Sequence, residues 1–134
     1  MNLGSSQRVI SVMVVDDHAI FREALSLSLS QYSNLTVSLQ AASGEEALEL
    51  LAVEQPDVVL MDISLPGMNG LETIRRALEI RPVPIVAISM YERGAYEPAS
   101  KSAGASAYVC KSAPLAELVS TIEQVVMKET TGGE

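Results

Sequence analysis

The stretch VVLMDISLPGMNG, Val58 to Gly70, decides the fold, because it places a single carboxylate, Asp62, where an apolar strand gives way to a turn. Asp is depleted in strands and costs free energy to bury without a partner. An Asp directly after Val58, Val59, Leu60 and Met61 therefore belongs at the strand's solvent-facing carboxyl end, the edge at which open α/β sheets bind ligands. Two other apolar runs end in the same way. Val12 to Val15 leads into Asp16 and Asp17, and Ala107 to Cys110 leads into Lys111. If the three strands are parallel neighbours, four charged groups converge on one rim.

The segments around these strands support a parallel sheet. Arg8 to Val15 is nearly continuous in β-branched and apolar residues, the pattern of a strand covered on both faces. In Ala19 to Tyr32, the alternation LSLSLS at 25 to 30 suggests a strand, whereas Phe21, Leu25 and Leu29 repeat at four. A parallel crossover needs about a dozen residues, and Arg22, Glu23 and Ala24 favour a helix, so a helix is expected. Leu35 to Ala41 is the least apolar strand, suited to a sheet edge. Ser43 with Glu46 forms a capping box that opens a helix from Gly44 to Val53, with Pro56 at the exit. The central strand is expected over Asp57 to Met61. Pro66, Gly67 and Asn69 form the next turn, and Asn69 with Glu72 caps a helix to Ile80 that buries Leu71, Ile74 and Leu78.

Pro82 and Pro84 precede a fourth strand, Ile85 to Ser89, which ends in a hydroxyl. Gly94 and Pro98 oppose an early helix, so Met90 to Ala103 is expected to be a long loop with a short helix from about Glu97. Gly104 is the stop. After the fifth strand, Ala107 to Cys110, Pro114 to Met127 is amphipathic, with Leu115, Leu118, Val119, Ile122, Val125 and Val126 on one face. Five strands alternating with five helices predict a doubly wound α/β fold with right-handed crossovers and strand order 2-1-3-4-5. Residues 1–7 are expected to be a flexible leader, 8–127 the domain, and 128–134 a tail or the start of a linker.

At 134 residues the chain suits one domain, which would bury about two-thirds of its unfolded surface. A net charge of -8, with only nine Lys and Arg, opposes nucleic-acid binding by this segment. No apolar run approaches about 18 residues and the N-terminus lacks a signal-peptide core, so the expectation is a cytoplasmic protein with no membrane partner. Cys110 is alone and is expected to be a small buried thiol.

Three carboxylates on one rim repel unless they share protons or a divalent cation holds them. Mg²⁺ suits them. It takes oxygen ligands, keeps several waters, and is usually held by one or two carboxylates plus a phosphate. Lys111 adds a point charge for a phosphoryl oxygen and Ser89 a hydrogen bond. Together these groups describe phosphoryl transfer to a carboxylate nucleophile. Singly, each residue has an ordinary role: Asp16 or Asp17 as a charge at a helix N-terminus, Asp62 as a turn initiator, and Ser89 as a cap. Lys111 alone would be a solvated surface cation, Tyr108 a half-buried core aromatic and His18 a surface side chain. The coincidence of strand-end placements favours the joint reading.

The chain resembles the receiver domain of two-component response regulators over about Val9 to Met127. VVDDH resembles that family's acidic pair, MDISLPGMNG its phospho-acceptor loop, AIS its hydroxyl position and GASAYVCKSA its aromatic and Lys strand. The resemblance implies a flavodoxin-like sheet and a signalling phospho-acceptor rather than an enzyme acting on other molecules. It also implies that Asp62 accepts the phosphoryl group and that Mg²⁺ is bound by Asp17, Asp62 and the Ser64 carbonyl, with Asp16 acting through a water. Lys111 and Ser89 would contact phosphoryl oxygens, and Tyr108 would change rotamer as the switch.

The implied partners are a sensor histidine kinase or a phosphotransfer protein of a phosphorelay, and a homodimer formed on phosphorylation. The dimer or output contact is expected on the fourth helix, fifth strand and fifth helix, or alternatively on the first and fifth helices. DDHAIFREAL resembles the subgroup whose receivers precede a helix-turn-helix DNA-binding domain that regulates transcription. Two positions depart from the family. Ser112 follows Lys111 where many relatives have Pro, and a cis bond there would cost about 3 to 4 kcal/mol. Met90 follows Ser89 where many relatives carry a smaller residue, which would narrow access to the site.

Rival readings fit less well. Asp16 and Asp17 would repel a flavin phosphate, and aspartyl phosphatases carry an Asp-x-Asp pattern after the first strand together with a cap domain. A stand-alone receiver, or a receiver-like module that binds partners without phosphorylation, remains as the alternative.

Overall fold

The computed structural model describes residues 8–64, 68–91 and 93–132, apart from the side chains of Arg93, Ala95 and 129–132. The expected leader, and Pro66 and Gly67 of the expected turn, lie outside these residues. Five strands alternate with five helices: β1 (Ile10–Val15), α1 (Ala19–Ser30), β2 (Leu35–Ala41), α2 (Gly44–Val53), β3 (Val58–Asp62), α3 (Gly70–Ile80), β4 (Ile85–Ser89), α4 (Arg93–Ala103), β5 (Ala107–Cys110) and α5 (Leu115–Gly132). The strands form one parallel sheet in the order β2-β1-β3-β4-β5.

Strand alternation sorts the apolar side chains into two layers. Met13, Val15, Val59, Met61, Ile85, Ala87 and Tyr108 pack with Leu51 and Ile74 on one face. Ile10, Val12, Val14, Leu60, Ile88 and Val109 pack with Leu29, Leu118 and Ile122 on the other. In α1 the LSLSLS run is helical: Ser26 and Leu29 are buried, and the Ser26 hydroxyl donates to the Arg22 carbonyl at 2.7 Å, whereas Leu27 is exposed. The expected caps form, with Glu46 N–H donating to Ser43 Oγ at 3.1 Å and Glu72 N–H donating to Asn69 Oδ1 at 2.9 Å. β2, whose side chains alternate between covered and exposed, is an edge strand.

The structure corrects three expectations. α4 begins at Arg93 rather than near Glu97 and carries Pro98 inside it. Gly94 and Pro98 are both exposed, so the Gly94 carbonyl left without its i+4 donor faces water, and the break costs less than it would in a core helix. α5 continues through Gly132, past the expected end at Met127. Cys110 is only partly covered, with Sγ 3.2 Å from Ser112 Oγ, because it closes the strand at the rim.

Candidate functional site

The sheet brings the carboxyl ends of β1, β3, β4 and β5 together. Val15 is level with Met61, Asp62 with Ile88, and Ser89 with Cys110. Beyond β3, α3 starts against the strand it follows. A Cβ on Gly70 would stand 2.3 Å from Ile63 Cα and 2.4 Å from the Asp62 carbonyl oxygen, so only glycine allows this approach. That contact packs the start of α3 against the end of β3, beside Asp62.

Asp16 and Asp62 are buried and Asp17 is partly covered. Lys111 Nζ joins the strands, 2.8 Å from Asp16 Oδ2 and 3.4 Å from Asp62 Oδ2, and sits 4.5 Å from the centre of the Phe21 ring. Ser64 N–H donates to Asp62 Oδ1 at 2.9 Å, which places Ser64 in the same turn. Burial raises the Asp62 pKa above the ordinary carboxylate value and the Asp16 charge adds to this, against the lowering effect of the Ser64 N–H and Lys111. For Lys111, burial lowers the pKa, but the hydrogen bond to Asp16 and the charges of Asp62 and Asp16 outweigh it, so the net shift is upward. The ammonium is therefore held in its charged form.

This donor set suits a cation. Asp17 Oδ1 is buried with no hydrogen-bond partner, and one ligand atom from each of Asp16, Asp17, His18 and Asp62 lies within 4.8 Å of the others. A buried lone pair without a donor costs free energy that a bound ion would recover. The acidic cluster can thus hold a metal ion.

Ser89 and Tyr108 meet through the backbone of one residue that the sequence reading did not single out. Tyr91 N–H donates to Ser89 Oγ at 3.0 Å, and Tyr108 Oη donates to the Tyr91 carbonyl at 2.7 Å. The Tyr108 ring is only 2% exposed, so the half-buried aromatic expected from the sequence is fully inside. Burial is tolerable because the phenol finds an acceptor. Among the described residues no peptide bond is cis, so the Lys111–Ser112 bond is trans. Met90 is 70% exposed and lines a groove of about 680 Å³ with His18, Ile20, Phe21, Ala24, Lys111 and Ser112, beside the carboxylates.

His18 and Phe21 were also missed as parts of the site. The signal for His18 was its place beside the acidic pair, and for Phe21 its position one helical turn beyond Asp17.

Comparison with known proteins agrees with this geometry. The family described as response regulator receiver domain matches residues 12–123. Response regulator GacA of Pseudomonas syringae pv. syringae (strain B728a) is 41% identical over 118 residues, covering 87% of this chain and 55% of that protein. The chain thus spans about half the length of this curated relative. Among solved structures, a LuxR-family two-component response regulator from Aurantimonas sp. SI85-9A1 aligns with a TM-score of 0.85 at 35% identity, over 89% of this chain and 86% of that one. The response regulator domain of Thermotoga maritima CheB aligns with a TM-score of 0.83 at 29% identity, over 89% and 97%. The chain belongs to the response regulator receiver domain family of two-component signalling. Its sheet is the flavodoxin-like one expected from the sequence. Among the described residues, no helix is long and apolar enough to cross a membrane.

Proposed function

We propose that Asp62 is the phospho-acceptor and that Asp16, Asp17, Ser64, Ser89 and Lys111 serve its phosphorylation. The observation that carries this reading is the buried Asp62 carboxylate, with Oδ1 fixed by Ser64 N–H and Oδ2 facing the Lys111 ammonium. A phosphohistidine on a sensor kinase or phosphotransfer protein is the donor. A carboxylate oxygen of Asp62 attacks the phosphorus in line, the phosphorus–nitrogen bond breaks, and the leaving imidazole keeps the electron pair and takes a proton from water. Lys111 pairs with a phosphoryl oxygen as charge reaches it. Asp17, Asp62 and the Ser64 carbonyl would hold Mg²⁺, with Asp16 acting through a water. When bound, that ion supplies positive charge against the repulsion between carboxylates and phosphoryl group.

The groove wall of Ile20, Phe21, Ala24 and Met90 supports docking of the donor, since it is apolar and adjoins the site. Ile20 is 86% exposed on it. A docked partner would cover that surface and exclude water from the reaction.

The switch runs from Ser89 through the Tyr91 backbone to Tyr108. A hydroxyl can accept from Tyr91 N–H and still donate its own hydrogen to a phosphoryl oxygen, so phosphorylation adds a charge-assisted bond without losing the first. Because Tyr108 is already inside, the change consists in tightening or shifting the loop at Met90 and Tyr91 rather than in filling a vacated space. The result reaches α4, β5 and α5, where the exposed Tyr91 and Tyr96 rings lie 5.1 Å apart and where a homodimer or output contact would form, the first and fifth helices being the alternative. A C-terminal DNA-binding domain acting in transcription is the output favoured by the relatives. Residues 8–127 are proposed as the domain proper, with the segment after it leading to that output.

Ser89→Ala tests the route. Labelling by acetyl phosphate with Mg²⁺ should persist in the variant, while the phosphorylation-induced chemical-shift changes around Tyr91, Tyr96 and Tyr108 disappear. Wild-type shift changes in Ser89→Ala would sink the proposed switch.

A further inference from the structure

His18 is the only histidine of the chain. It stands at the N-cap of α1, but its side chain makes no capping bond. The imidazole turns to the acidic cluster instead, with Nδ1 3.2 Å from Asp16 Oδ1 and 3.5 Å from Asp17 Oδ1, while the His18 N–H donates to the same Asp16 oxygen at 2.8 Å. Lys111 occupies the other side, facing Oδ2 of Asp16 and of Asp62. The edge formed by Asp16 Oδ1, Asp17 Oδ1 and His18 Nδ1 is therefore clear of the ammonium, and Asp17 Oδ1 has no hydrogen-bond partner there.

The separations have a chemical meaning. In a six-coordinate shell with bonds of about 2.1 Å, adjacent donors stand about 3 Å apart and opposite donors about 4 Å apart. Distances of 3.2 and 3.5 Å from the imidazole nitrogen to two carboxylate oxygens are close to those of adjacent corners, and all four ligand atoms fall within 4.8 Å. Carboxylate, carbonyl and water ligands suit Mg²⁺, whereas imidazole adds affinity for first-row transition ions and little for Mg²⁺.

Given the reading of this rim as the cation site of phosphoryl transfer, we infer that His18 is a metal-selecting ligand: it enters the coordination shell of a divalent transition ion such as Mn²⁺ and stays out of that of Mg²⁺. Coordination uses the Nδ1 lone pair, with the ring proton on Nε2 of a side chain that is 62% exposed, and the metal bond takes the place of the Nδ1 contact with Asp16. The choice between the two cations then belongs to His18, since the three carboxylates serve both alike.

The test uses the 134-residue chain without a histidine tag, loaded with Mn²⁺ and read by electron spin echo modulation. With one histidine present, any imidazole ¹⁴N coupling comes from His18. The wild type should show that coupling. His18→Gln, which retains a donor for Asp16 but no imidazole, should lose it, and its preference for Mn²⁺ over Mg²⁺ in competition titration should fall about tenfold. Bound Mn²⁺ without nitrogen modulation in the wild type, or an unchanged preference in His18→Gln, overturns the inference and leaves the carboxylate site standing. Failure of both ions to bind the wild type would overturn the reading of the rim itself, and the inference with it.

Discussion

Asp62 carries opposing demands. Its carboxylate is buried beside Asp16, which raises its pKa, so keeping it charged at neutral pH costs folding free energy. The unfolded chain binds fewer protons than the fold between the ordinary carboxylate value and the raised one. Stability contributed by this group is therefore full in acid and lost as pH rises through the raised pKa. Asp62→Asn removes that cost while Lys111 keeps Asp16 at 2.8 Å. The variant should be about 1 kcal/mol more stable than wild type at neutral pH with chelator present, and the advantage should vanish in acid. Thermal melts across pH check this; a variant less stable than wild type at neutral pH would contradict it. Cation binding should act in the opposite sense, raising wild-type stability by about 2.7 kcal/mol when Mg²⁺ stands at 100 times its dissociation constant. Asp17→Asn should abolish most of that gain, which calorimetry with and without Mg²⁺ measures.

At this scale the sequence was informative where chemistry and strand ends coincide. Asp16, Asp17, Asp62, Ser89 and Lys111 could be read as one rim because each closes an apolar run. For His18 and Phe21 only their nearness in sequence to the acidic pair gave a hint, and for Tyr91 nothing did. His18 and Phe21 reach the site only because α1 starts beside it, and Tyr91 contributes its backbone, which no side-chain pattern records.

Among the elements, most helices and strands were legible because apolar spacing and caps agreed, as at Ser43 and Asn69. The start of α4 was not. Gly94 and Pro98 argued for a loop up to about Glu97, yet the helix begins at Arg93, with Ser100 fully buried and its hydroxyl donating to the Tyr96 carbonyl at 2.9 Å, and with Ala103 packed into the core. Tertiary contacts at its C-terminal end outweigh Gly94 and Pro98.

Two glycines at helix starts should respond in opposite ways. At Gly94 a Cβ meets nothing within 4 Å, so Gly94→Ala should stabilise α4 by about 0.5 to 1 kcal/mol, seen as slower amide exchange there. At Gly70 the Cβ would collide with backbone at the end of β3, so Gly70→Ala should cost about 3 kcal/mol and displace Asp62. Denaturant unfolding compares the pair, and equal effects would refute the role given to the α3 approach.

Across the molecule, strand order does the positioning. The order β2-β1-β3-β4-β5 sets the ends of β1 and β4 on either side of β3, and β5 brings Lys111 back over the acidic pair. The alternation of strands and helices pointed to a doubly wound sheet, and the order expected for it, 2-1-3-4-5, placed the carboxylates side by side. The depth of Tyr108 was not legible, since a four-residue strand reveals its partners only once α4 and the loop before it are packed.

If strand order exists to assemble this rim, phosphoryl transfer should be confined to it. The direct measurement is mass spectrometry of the chain after incubation with acetyl phosphate, with peptide mapping, in the presence of Mg²⁺ and again with chelator. One phosphoryl group on the peptide containing Asp62, dependent on Mg²⁺ and absent from Asp62→Asn, is the predicted result. Wild-type labelling of Asp62→Asn, with the group mapped to another residue, would contradict the assignment of Asp62 as acceptor.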